Sequence, residues 1–201
     1  MKKFICFLLV ILLVISSIGF SFASEQSPAR IGEKNNLNVP LYQQSQTYTC
    51  GPACIRMALK KFGISKSEST LTSQSGTTKE NGTYVYKVKD CLNSNLGKNS
   101  YKYYLTDNTD FDNKVLASIK AGYPVICHVK PKNLPNYVNQ RVPEGHYIVV
   151  SGYTIQTGAI TQISLTYNDP HYDNNIFGTY NVSSSEMKKA INYRAHYYIS
   201  Y

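Results

Sequence analysis

Gln44-Ser-Gln-Thr-Tyr-Thr-Cys50-Gly-Pro-Ala-Cys54 runs directly into Ile55-Arg-Met-Ala-Leu-Lys-Lys-Phe62-Gly63, and this stretch organises the rest of the chain. Cys54, Ala58 and Phe62 repeat at fourfold spacing with Ile55 and Leu59 beside them, while Arg56 and Lys60 fall elsewhere on the wheel. The spacing predicts a helix from Cys50 to Phe62. Thr49 is placed to cap its start, Pro52 is tolerated in the first turn, and Gly63 closes it. A cysteine at the first position of such a helix meets unpaired N–H groups and the positive helix end, which stabilise an anion. Gly51 leaves the space over that sulfur uncrowded. Cys54 belongs to the apolar row and reads as an inert core thiol.

Downstream of this helix the pattern is helical first and extended later. Ser65 and Glu68 stand at capping-box spacing and suggest a short helix. Tyr84, Val88 and Leu92 are in phase for a second amphipathic helix to about Asn95. Phe111, Val115 and Ile119 are in phase for a third, ending at Gly122. Pro124–Lys130, His146–Thr154, Ile160–Asn168 and Arg194–Tyr201 are rich in Val, Ile, Thr and Tyr and read as strands, with a last short helix after Ser183 and Glu186. Helices before strands, without βαβ alternation, give an α+β domain: an N-terminal helical half on a mostly antiparallel sheet.

Upstream, Val39-Pro40-Leu41-Tyr42 reads as extended, because Pro40 biases its predecessor away from helix. Residues Ser24 to Asn38 are polar, with Pro28, Gly32, Asn35 and Asn36, and read as a flexible lead-in. Lys2 and Lys3, the apolar run Phe4 to Phe20 and the small residues of Ser21-Phe22-Ala23 form the three parts of a secretory signal. Cleavage is expected after Ala23, giving a secreted protein with no stable membrane anchor and a domain spanning residues 39–201. Loss of Lys2 and Lys3 takes the formal charge of +9 down to +7. A basic balance of this size suits an anionic surface such as a cell wall. The lysines are scattered rather than striped, which argues against a nucleic-acid partner. Of the four cysteines after the signal, Cys50 and Cys54 sit one helical turn apart, a poor geometry for bridging. Cys91 and Cys127 remain the candidate disulfide pair.

A thiolate nucleophile needs a base, and the base needs an orienting partner. His146 follows Glu144-Gly145 and opens the most apolar strand, where an imidazole can be held rigidly. His128, His171 and His196 read as structural or surface residues. Asp169 leaves the Ile160–Asn168 strand just before Pro170 and is the candidate orienting group. Asn168 competes with it, because an amide can also orient imidazole. Cys50, Cys54 and a histidine could in principle hold a metal, but the Cys-x3-Cys spacing has no second paired half, and no cofactor is implied.

Taken together, Gln-x5-Cys-Gly-Pro-Ala-Cys, then Gly-His before a Val-rich strand, then Asn-Asp-Pro, resemble the bacteriocin-processing, double-glycine peptidase family, cysteine peptidase family thirty-nine of the papain-like group. More specifically they resemble its stand-alone, secreted branch. The resemblance covers about Val39 to Asp169. It implies a papain-like fold with Cys50 as nucleophile, His146 as general base and acid, and Asp169 as its orienting group. Gln44, at the family's spacing, would donate its amide to the oxyanion together with the Cys50 N–H. Gln43 and Gln46 lack that spacing. The implied partner is a peptide or protein substrate, cleaved at a peptide or isopeptide bond through a thioester. The family's best-known members are fused to exporters and trim double-glycine leaders at the cytoplasmic side, and the expected signal sequence departs from that pattern. Cell-wall peptides are an alternative substrate, and an inactive binding module with the same fold is an alternative role.

Overall fold

The computed structural model describes residues 30–105, 110–140, 144–191 and 197–201. Its elements are β1 (Arg30–Asn36), α1 (Cys50–Lys61), α2 (Glu68–Gln74), α3 (Val85–Leu96), β2 (Lys102–Leu105), α4 (Phe111–Lys120) and β3 (Val125–Val129). Two 3₁₀ turns follow (Pro131–Asn133 and Pro135–Tyr137), then β4 (His146–Thr157), β5 (Gln162–Asp169), β6 (Gly178–Ser183), α5 (Ser184–Ile191) and β7 (Tyr197–Ser200). The expected α+β architecture, helices of the N-terminal half on an antiparallel sheet, is what forms.

Among the described residues the sheet has seven strands in the order β2-β7-β3-β4-β5-β6, with β1 beside β4. Every pairing is antiparallel. The twelve-residue β4 is the spine: one edge carries β5, and the other carries β3 along His146–Val150 and β1 along Gly152–Thr157. Successive side chains of a strand face opposite sides, and here each side has its own core. Ile126, Tyr147, Val149 and Ile199 pack with Cys54, Ile55, Leu59, Val88 and Leu92 of α1 and α3. Val125, Cys127, Ile148, Val150 and Tyr198 pack with Phe111, Val115, Ile119, Met187 and Ala190 of α4 and α5. The sheet is therefore sandwiched, with α1 to α3 on one face and α4 and α5 on the other.

Several local expectations change. The lead-in was expected to be flexible, yet Arg30–Asn36 forms β1, because β4 outruns β3 and leaves an edge that a polar strand can pair. Strands β2 and β6 were not foreseen, since edge strands with alternating exposure carry few apolar residues. The α2 cap is Ser67, whose side chain accepts from the Thr70 N–H, not Ser65. Thr49 occupies the α1 cap position without a side-chain cap bond; its hydroxyl instead donates to the Gln46 carbonyl at 3.1 Å. Cys91 and Cys127 are free, as are Cys50 and Cys54. Cys91 belongs to the α3 side of the sheet and Cys127 to the α4 side, so the sheet itself separates them. The expected signal segment and His196 lie outside the described residues.

Candidate active site

α1 begins at Cys50 because the preceding loop is pinned from three directions. The Gln44 backbone N–H donates to the Pro170 carbonyl at 2.7 Å. The Ser45 N–H and hydroxyl both donate to the Glu68 carboxylate, at 3.0 and 2.7 Å. Gln46 and Thr49 close a turn on each other. The helix tip then packs so closely on the α2–α3 loop that a Cβ on Gly51 would lie 2.8 Å from the Thr83 Cβ. Gly51 therefore admits Thr83 against the first turn of α1, a different reason for glycine from the one its position next to a thiol suggests.

His146 opens β4 and is buried, with its Nε2 2.8 Å from Asp169 Oδ1 at the end of β5. The register decides which neighbour reaches it. Val149 pairs with Asn168, so Asn168 shares the Val149 face, and one residue on, Asp169 turns to the face of Ile148 and His146. Asn168 is otherwise engaged, donating to the Val39 carbonyl at 3.1 Å and accepting from the Thr179 hydroxyl at 2.7 Å. The contact to His146 is therefore made by Asp169 and not by Asn168.

Burial disfavours an imidazolium at His146, but the charge and hydrogen bond of Asp169, then the hydrogen bond and charge of Cys50, outweigh it and raise its pKa to about 10. Burial also opposes a carboxylate at Asp169. The charge and hydrogen bond of His146, the Asn136 amide and the His171 N–H overcome that penalty and hold it below the ordinary carboxylate range. Cys50, His146 and Asp169 thus form one interacting set. Gln44 joins it through Pro170, the residue after Asp169. Its Nε2 donates to the Gln46 carbonyl at 2.7 Å, which uses one of its two N–H groups. Cys54, one turn deeper, is fully buried, and burial first and the charge of Cys50 second push its pKa far up.

Three residues at the site were not read as part of it from sequence. His171, taken as structural or surface, is buried with its ring centroid 5.6 Å from that of His146. Its Nδ1 accepts the Asp173 N–H at 3.0 Å, and burial together with the charge on His146 lowers its pKa, so its ring is neutral. Tyr137 meets both rings edge-on, at 6.1 Å and 5.8 Å. Asn136 donates to Asp169 Oδ2 at 2.9 Å. The Asp-Pro-His string was visible in the sequence; nothing in the sequence marks the second proline-led turn as a neighbour of it.

Solved structures share this architecture. A Bacillus anthracis C39-like protein superposes with a TM-score of 0.59 at 17% identity, covering 84% of this chain and 98% of that one. A double-glycine motif protease from an AMS/PCAT transporter, solved with its leader peptide, gives a TM-score of 0.51 at 13% identity, covering 86% and 98%. No curated protein matches the chain. The Peptidase C39-like family is matched over residues 36–201, which spans α1, strands β2 to β7 and every residue of the site, and the chain belongs to that family.

Proposed function

We propose that this chain is a secreted cysteine peptidase that hydrolyses peptide or isopeptide bonds through a thioester on Cys50. The observation that carries the reading is the buried His146–Asp169 pair, 2.8 Å apart, whose imidazole also interacts with Cys50 at the tip of α1. His146 Nε2 is committed to Asp169, which leaves Nδ1 for the sulfur. In the first half-reaction the Cys50 thiolate attacks the carbonyl carbon. The C–N bond then breaks, and the His146 imidazolium passes its proton to the leaving amine. In the second, neutral His146 takes a proton from water, the hydroxide adds to the thioester, and the C–S bond breaks to return the thiolate. The second N–H of the Gln44 amide and the Cys50 N–H are assigned to the negative oxygen formed in both steps.

A peptide substrate fits the family and the leader peptide held by the transporter protease. Secretion rests on the Lys2-Lys3 start, the Phe4–Phe20 run and the Ala23 exit. Cell-wall peptides are a second reading, favoured by the positive charge left after signal removal. The test is competitive labelling of the folded protein with a peptide electrophile. Cys50 should react far faster than Cys54, Cys91 or Cys127, and His146→Ala should slow it. Equal rates at all four thiols would end the proposal. N-terminal sequencing of the exported protein, expected to begin at Ser24, tests the secretion.

A further inference from the structure

We propose that Asn136 is a positioning residue of this site, an amide clamp that fixes Asp169 behind His146 and is itself locked by Tyr167. The inference rests on the peptidase reading above and adds to it a residue outside the strands that carry His146 and Asp169.

The Asp169 side chain has no solvent exposure, so each of its oxygens must find a donor within the protein. Oδ1 takes two: the His146 ring at 2.8 Å and the His171 backbone N–H at 3.0 Å. Those two bonds engage only Oδ1 and leave the equally buried Oδ2 in need of its own donor. Asn136 Nδ2 donates to Oδ2 at 2.9 Å and so supplies one. The amide is fixed in turn. Its other N–H reaches the Ile176 carbonyl at 3.2 Å, and its Oδ1 accepts the Tyr167 hydroxyl at 2.6 Å. Flipped, it would set oxygen against a carboxylate and a carbonyl, both acceptors, so only the observed orientation satisfies all its neighbours.

The backbone supplies the rest. Asn136 sits in the Pro135–Tyr137 turn, where the φ of Pro135 is fixed, and Tyr137 packs beneath the two histidine rings. Tyr167 is two residues before Asp169 on the same face of β5 and is fully buried. The chain of contacts is thus Tyr167, Asn136, Asp169, His146. The titratable groups facing Asp169 are His146 from β4, His171 from the following loop and Tyr137 from the 3₁₀ turn. Tyr167 on its own strand, Tyr180 on β6 and Cys54 on α1 also feel its charge. Among the Asp169 contacts described, Asn136 donates to Oδ2, and the buried Tyr137 hydroxyl also interacts with the carboxylate.

The test is NMR on the whole exported protein, following the Asp169 side-chain carbon against pH and the His146 Nε2 proton at neutral pH. Asn136→Ala should raise the Asp169 midpoint by about one pH unit, the equivalent of one hydrogen bond to a charged group, and weaken the His146 proton signal. Tyr167→Phe, which keeps the ring and removes only the hydroxyl, should move both readouts the same way by less. It decides the matter if Asn136→Ala does not fold. Folded variants that leave both readouts at wild-type values overturn the clamp, even if their melting temperatures drop. Labelling of Cys50 by iodoacetamide is measured in parallel. If the NMR shifts appear but Cys50 shows no His146-dependent reactivity, the peptidase reading fails and the clamp stands.

Discussion

The Gln44 backbone N–H meets the Pro170 carbonyl at 2.7 Å, so the loop that leads into Cys50 and the loop that leaves Asp169 are joined one residue from the acid. Gln43 reinforces the junction, its amide donating to the Tyr172 carbonyl at 3.0 Å and to Asn174 Oδ1 at 2.8 Å. Helix tip and sheet end are therefore held in register by bonds outside both hydrophobic cores. The amide assigned to the oxyanion inherits its position from the same segment that positions the acid.

That arrangement separates two functions of the loop. Gln44→Ala should lower acyl transfer about 10²–10³-fold, the usual loss for one oxyanion donor. It should leave iodoacetamide alkylation of Cys50 unchanged, because alkylation develops no oxyanion. Glu68→Ala, which frees the Ser45 N–H and hydroxyl, should share this signature, whereas Glu68→Gln keeps an acceptor oxygen and should be milder. Turnover of a peptide ester beside alkylation rates checks it. A Gln44→Ala protein that loses both in parallel would place Gln44 in folding and not in oxyanion binding.

The His146–Asp169 pair should also be visible as pH-dependent stability. Asp169 has its pKa held below 3.8, so its contribution is present above that value and is lost as pH falls through the lowered midpoint. His146 is raised from 6.5 to about 10, so its contribution is complete below 6.5 and fades as pH climbs toward 10. Asp169→Asn leaves a buried ring without its counter-charge and should cost about 3–5 kcal/mol near pH 5 to 6, where both contributions are whole. The gap between wild type and variant should narrow toward strong acid and above about pH 10. Denaturant melts across pH measure it, and a gap that stays constant would mean the pair is not ionised.

The elements with strong periodicity were legible in the sequence. Cys50 to Gly63 could be read as a helix with both ends marked, because its apolar row and its stop signal agree. His146 and Asp169 were legible because each stands at the end of a strand rich in β-branched residues. The choice of Asp169 over Asn168 was not, because it depends on the pairing of Val149 with Asn168, and register is a property of two strands together. Asn136, Glu68 and Thr83 were invisible for a related reason. Each acts on a residue distant in the sequence through a few hydrogen bonds or a single close contact, and no local pattern encodes such a pairing. The β1 strand was missed because a polar segment becomes a strand only where a partner such as β4 offers an edge.

Gly51 gives the sharpest mutational test of how the helix tip is seated. An added Cβ would meet Thr83 Cβ at 2.8 Å, and Thr83 cannot retreat. Its carbonyl accepts the Tyr147 hydroxyl at 2.7 Å and its hydroxyl bonds Thr77 at 2.7 Å. Gly51→Ala should therefore destabilise the fold by about 1–3 kcal/mol, the range for overpacking, and push the Cys50 end of α1 away from His146. Thr83→Gly removes the obstructing atoms while keeping the carbonyl that Tyr147 needs. In the double variant the two changes should not add: Gly51→Ala should cost less in the Thr83→Gly background than in the wild type, and Cys50 labelling should recover with it. Strictly additive costs in the double-mutant cycle would show that Thr83 is not what excludes a side chain at position 51.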